Sequence, residues 1–145
     1  MKTALITGAS QGIGAAIADK LNDKKIKVIL VSRSKSKLKS FQKNLKFPKN
    51  SLIISKDLRP LSACNSIAKK IKKLDYLINV AGATKGGKFL NLNDNIWEDG
   101  FNLKFKAAVR LSRAFWPALK KSKGKVINIG GGAARNTSNT FMIGG

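Results

Sequence analysis

The chain has 145 residues, with 29 Lys and Arg against 7 Asp and Glu, a formal charge of +22 and 43% hydrophobic residues. That length and apolar share suit one folded domain spanning residues 1–145, neither two full domains nor a disordered tail. With no histidine and a single cysteine, Cys64, the chain cannot use a Ser-His-Asp or Cys-His site, a His- or Cys-built metal centre, or an internal disulfide.

Residues 2–7 (KTALIT) form a short apolar run before a glycine and read as the first strand. Residues 12–24 carry Ile13, Ile17 and Leu21 at four-residue spacing, the narrow apolar face of a helix. Residues 26–31 (IKVILV) are rich in β-branched side chains and read as strand two. Residues 34–46 place Leu38, Phe41 and Leu45 on one helical face opposite lysines, and residues 51–55 (SLIIS) follow Pro48 and Asn50 as strand three. Pro60 suits the first turn of a third helix, whose inner stripe is Leu61, Cys64, Ile67, Ala68 and Ile71. On that stripe Cys64 reads as a small core residue, with no base near it in sequence. Residues 75–80 (DYLINV) are strand four. Residues 95–122 read as one long helix with the row Phe101, Phe105, Ala108, Leu111 and Phe115, ended by Gly124. Residues 125–129 (KVINI) are strand five, after which Gly130, Gly131 and Gly132 open a loop with no further element.

Five short apolar strands alternating with helices predict a parallel sheet covered on both faces. Right-handed crossovers make it a doubly wound α/β domain, Rossmann-like, with strand order 3-2-1-4-5. No apolar run reaches the roughly 20 residues that span a bilayer. The N-terminal MKTALITGAS turns to Gly and Ser too early for a signal peptide, so the expected compartment is the cytoplasm. The charge points either to a polyanion partner or to lysine-rich usage on solvated faces. Lysine supplies 24 of the 29 basic residues and is scattered from Lys2 to Lys125 without interleaved aromatics. Arginine, the better fork for phosphate and guanine, is scarce, which favours usage bias over nucleic-acid binding.

In this fold class ligands sit beyond the carboxyl ends of the strands. After strand one stands Thr7-Gly8-Ala9-Ser10-Gln11-Gly12-Ile13-Gly14. Glycines there let the backbone turn tightly and approach a pyrophosphate, and the following helix offers free N–H groups to the anion. A merely tight turn is the bland alternative, and a glycine pattern alone is weak evidence. After strand two the sequence is Val31-Ser32-Arg33-Ser34, with no acid to accept from a ribose 2′-hydroxyl. The Arg33 guanidinium suits a 2′-phosphate and Ser34 adds a hydrogen-bonding group, so NADP(H) is expected over NAD(H).

These motifs, with Asp57-Leu58 and Asn79-Val80-Ala81-Gly82 behind strands three and four, resemble the short-chain dehydrogenase/reductase family over the whole chain. The resemblance implies that Gly8, Ser10, Gln11, Gly12, Ile13 and Gly14 line the pyrophosphate and adenosine ribose. It assigns Asp57 to the adenine amino group with Leu58 packed nearby, and Asn79, Ala81 and Gly82 to the adenosine side of the cofactor. Val80 replaces the family's usual second asparagine. Asn102, in Phe101-Asn102-Leu103, matches the family's catalytic asparagine, although an ordinary helix asparagine reads the same way. Gly131 stands at the usual serine position. The tyrosine position falls near Gly144, and the matching lysine lies beyond Gly145. Ser138 and Thr140 are the nearest loop hydroxyls, and the sole tyrosine, Tyr76, sits inside strand four as a packing residue.

Family domains run to about 250 residues, so the chain reads as the N-terminal cofactor cradle without its catalytic part. The implied activity is hydride transfer between NADP(H) and a carbonyl or alcohol substrate, as in 3-oxoacyl-carrier-protein reductases. A nucleotide-binding half-domain that has lost this chemistry is the alternative, and a basic nucleic-acid-binding protein a third. The family's usual dimer or tetramer gives Phe101, Phe105 and Trp116 an interface reading beside a core one.

Overall fold

A computed structural model describes residues 1–136 and 138–144 of the chain. The strands are β1 (Thr3–Thr7), β2 (Lys27–Ser32), β3 (Ser51–Ser55), β4 (Tyr76–Asn79) and β5 (Lys125–Asn128). The helices are α1 (Gly12–Asp23), α2 (Lys35–Lys43), α3 (Leu61–Lys70), α4 (Asp94–Phe101) and α5 (Ala107–Ser122). All four strand pairings are parallel, in the order β3-β2-β1-β4-β5. The doubly wound α/β architecture expected from the alternating runs is therefore the observed one, and the strands leave their C-terminal ends together at Thr7, Ser32, Ser55 and Asn79.

The two-residue period of the strands divides the core into two layers. Leu5, Ile29, Val31 and Leu77 face one side, against Cys64 and Ile67 of α3 and Leu111, Phe115 and Leu119 of α5. Ala4, Ile6, Val28, Leu30 and Ile78 face the other, against Ala18 of α1, Leu38 of α2 and Leu45. Cys64 is fully buried there, and burial pushes its thiol pKa up, as suits a small core residue. Phe115, only 1% exposed, is the largest of the fully buried side chains. Phe115→Ala is expected to cost about 3–5 kcal/mol, read as a lowered urea midpoint with an unchanged slope.

Four local expectations are corrected. The long helix of residues 95–122 is divided by a π-turn at Asn102–Lys106, where the Ala107 N–H reaches back to the Asn102 carbonyl. The widened turn changes which face looks inward. Leu103, Ala107, Leu111, Phe115 and Leu119 are buried, whereas Phe101 and Phe105 are 42% and 63% exposed. In α1 the buried row is Gly14, Ala18 and Asn22. Ile13 is exposed at the mouth of the first βα loop. Asn22 is satisfied at both ends of its amide by the Phe47 backbone. In α3 the stripe starts at Ala63 and Cys64, since Leu61 is half-exposed. Finally, the loop after β5 contains a 3-10 turn at Gly132–Ala134.

Several apolar side chains that the core does not use lie on or next to α5 and β5. Phe105, Val109, Trp116, Ile127 and Ile129 are all exposed. Beside them lies an open cleft floored by Ala108, Ser112 and Asn128. No helix of the described residues is long and apolar enough to cross a membrane.

Candidate functional site

A cleft of about 720 Å³ opens at the C-terminal ends of β1, β2 and β4. Gly8 and Gly12 hold φ values of +66° and +57°, the left-handed region that costs other L-residues strain. A Cβ on Gly8 would come within 3.1 Å of the Ala81 nitrogen, so the loop after β1 lies directly on the segment after β4. A Cβ on Gly14 would collide with the Gly8 carbonyl, so the loop closes onto its own helix. No side chain caps the start of α1. Its first-turn N–H groups are left for an anion in the cleft.

Two tethers fix this floor. The Ala9 N–H donates to the Val31 carbonyl at 3.2 Å. The buried Thr7 hydroxyl accepts from the Val80 and Ala81 N–H groups at 2.9 and 3.0 Å. Thr7 therefore positions Ala81 and Gly82, both of which line the cleft. Nothing in the sequence signals this role, because the partners of Thr7 stand more than seventy residues away.

Gly8, Ser10, Gln11, Gly12, Ile13, Gly14, Arg33, Ser34, Leu58, Ala81 and Gly82 all line the cleft. Lys37 and Lys56 line it too. The Lys37 ammonium donates to Gln11 Oε1 at 3.0 Å, across the cleft mouth. Three cations thus line the cleft, and no Asp or Glu is among its lining residues. Its place one helical turn past Arg33 is the sequence signal that Lys37, like Lys35, adds to the positive field there. Ser34 also caps α2, its hydroxyl accepting from the Lys37 N–H at 3.3 Å.

Three of the expected site residues do not line the cleft. Asp57 is exposed and turned to Arg59, whose backbone N–H and Nη1 donate to its Oδ1 at 3.1 and 3.2 Å. Burial pushes the Asp57 carboxyl up, but the hydrogen bonds and charge of Arg59, with Arg33 behind, outweigh this and hold it below its ordinary value. Asn79 is buried, and its Nδ2 donates to Asn128 Oδ1 at 2.8 Å, lacing β4 to β5. Asn102 opens the π-turn, with Nδ2 donating to Glu98 Oε1 at 3.2 Å. Its neighbour Leu103 lines the cleft instead. Tyr76 lies at the opposite end of the sheet, its hydroxyl accepting from Lys2 Nζ at 3.0 Å.

Glycine cradle and uncapped helix start together fit the pyrophosphate of a dinucleotide. The family model described as short chain dehydrogenase matches residues 2–143. The chain belongs to the short-chain dehydrogenase family. A 3-oxoacyl-[acyl-carrier-protein] reductase FabG of Rickettsia typhi is 36% identical over 129 residues, covering 88% of this chain and 53% of the relative. The Escherichia coli K12 FabG is 32% identical, covering 89% and 54%. A metagenomic short-chain oxidoreductase solved in complex with NADP is 32% identical, with a TM-score of 0.88 over 94% of this chain and 65% of its own. A short-chain dehydrogenase of Streptomyces avermitilis, 28% identical, gives a TM-score of 0.89. The chain spans about half the length of the curated relatives it matches.

Gly131, which the resemblance sets at the serine position, packs on Gly144: a Cβ on Gly131 would strike the Gly144 carbonyl and stand 3.1 Å from Lys104 Nζ. The Lys104 ammonium, carried by the π-turn, donates to that same carbonyl. Thr84 Oγ1 is buried close by with no hydrogen-bond partner among the described residues. Ser138 and Thr140 instead bond to each other.

Proposed function

We propose that the chain is the cofactor-binding part of an NADP(H)-dependent oxidoreductase acting on a carbonyl or alcohol substrate, similar to 3-oxoacyl-carrier-protein reductases. The observation that carries the cofactor preference is that Arg33, Lys37 and Lys56 line the cleft while no Asp or Glu does. A free 2′-hydroxyl calls for a carboxylate acceptor, whereas a 2′-phosphate calls for donors and positive charge. Gly8, Ser10, Gln11, Gly12, Ile13 and Gly14 hold the pyrophosphate against the start of α1. Asp57 and Leu58 receive the adenine, and Asn79, Ala81 and Gly82 wall the adenosine side. When bound, the nicotinamide supplies the hydride.

Asn102 is the proposed catalytic asparagine, at a π-turn of the kind often found at functional sites. Lys104 and Thr84 are the donors nearest to the two glycine positions. The longer protein is proposed to assemble as a dimer or tetramer through the outer face of α5, where Phe105 and Trp116 stand 63% and 61% exposed.

Gly131 at the serine position favours a second reading, a nucleotide-binding module without reductase chemistry. The two readings part in an assay of NADPH oxidation with an acetoacetyl thioester. The 145-residue chain is expected to show no turnover. A form extended to the relatives' length is expected to turn over if it is a reductase, and to bind NADPH without oxidising it if it is the module. Steady turnover by the 145-residue chain itself would contradict the assignment of catalysis to the longer form.

A further inference from the structure

We propose that Arg59 is a positioning residue: it clamps the Asp57 carboxylate at the adenine end of the cleft and ties it to α4, the helix that runs into Asn102. The inference rests on reading the cleft as an NADP(H) site. Arg59 holds Asp57 through one oxygen only, Oδ1, which takes both the backbone and the guanidinium bond. Oδ2 is left for another donor, next to Leu58, which lines the cleft. The other side of the same guanidinium grips Asp99 in α4, with Nε 2.7 Å from Oδ1 and Nη2 3.2 Å from Oδ2. The Arg59 carbonyl is held in turn by Arg110 Nη1 of α5 at 2.6 Å.

Exposed ion pairs usually contribute little, because two long side chains must be immobilised for a screened attraction. This one differs in three respects. The Arg59 side chain is only 20% exposed. Its contact with Asp99 adds one hydrogen bond, from Nη2 to Oδ2, to a close ion pair at Nε. It joins segments forty residues apart, the loop after β3 and the last turn of α4. Asp99 stands three residues before Asn102, and the neighbouring Glu98 binds both Asn102 Nδ2 and the Lys106 ammonium. Arg59 therefore ties the adenine-side loop to the helix that leads into the π-turn. A carboxylate free to rotate on a surface loop would have to be ordered when adenine binds, whereas Arg59 orders it beforehand.

The test is titration of the 145-residue chain with adenosine 2′,5′-bisphosphate, which carries the adenine and the 2′-phosphate without the nicotinamide. Arg59→Met is expected to raise Kd about five- to tenfold, and Asp99→Asn, which touches no ligand, about two- to threefold. In an Asp57→Asn background the Arg59→Met change is expected to add nothing, because the residue acts through Asp57. A purely structural role predicts the same added loss in both backgrounds. Native binding with an unchanged Kd in Arg59→Met, or additive losses in the double variant, overturns the inference alone. Failure of the native chain to bind overturns the reading of the cleft and this inference with it. If Arg59→Met does not fold, the exposed Asp99→Asn decides: a raised Kd supports the clamp, and an unchanged one overturns it.

Discussion

Gly14→Ala is expected to weaken NADP+ binding by more than tenfold and to lower the melting temperature, even though alanine is the better helix former. Gly14 lies in the first turn of α1, where propensity alone favours alanine by about 1 kcal/mol. The added methyl would, however, collide with the Gly8 carbonyl and stand 3.2 Å from the Ala9 Cα. Those atoms are backbone, held by the Ala9–Val31 hydrogen bond and by the packing of Gly8 on Ala81. Overpacking of this kind costs about 1–3 kcal/mol, so the clash outweighs the propensity. The loop must move away from α1, and with it the amides that face the cleft. Calorimetric binding and a thermal melt of the same variant check both effects, and a stabilised variant with unchanged affinity would show that the loop does not need this contact.

Arg33→Ala is expected to reduce NADPH affinity about 10- to 100-fold and to leave NADH affinity within twofold. A hydrogen bond to a charged group contributes about 1.5–3 kcal/mol, and each 1.36 kcal/mol is a factor of ten. Lys37 and Lys56 remain beside the phosphate and temper the loss. Arg33→Lys keeps the charge but not the fork, so it is expected to fall between. The comparison belongs at about 0.15 M salt, where the Debye length is about 8 Å and the +22 field of the chain no longer attracts anions at long range. An equal loss for NADPH and NADH would mean that Arg33 acts on the fold and not on the 2′-phosphate.

The five strands were legible because each is a short apolar run bounded by polar or turn residues, and their order followed from right-handed crossovers. The glycine loop was legible for the same reason, lying between a clear strand and a clear helix. The inward face of the long helical segment was not. Phe101 and Phe105 fit a regular helical row with Leu111 and Phe115, but a π-turn at Asn102–Lys106 replaces them inside with Leu103 and Ala107. No residue in Asn102-Leu103-Lys104-Phe105-Lys106 announces a widened turn. Thr7 and Arg59 were hidden for a different reason. Each acts through partners that only the fold brings near: Val80 and Ala81 for Thr7, and Asp99 for Arg59. Asp57 was singled out by motif, but sequence could not reveal that Arg59 already holds one of its oxygens.

The central claim is that the cleft selects a dinucleotide by its 2′-phosphate, and the most direct test is titration of the native 145-residue chain with NADPH and NADH under identical salt and pH. Tighter binding of NADPH by at least tenfold, with NADPH displaced by adenosine 2′,5′-bisphosphate, is the predicted result. Equal affinities, or binding of neither, would contradict it.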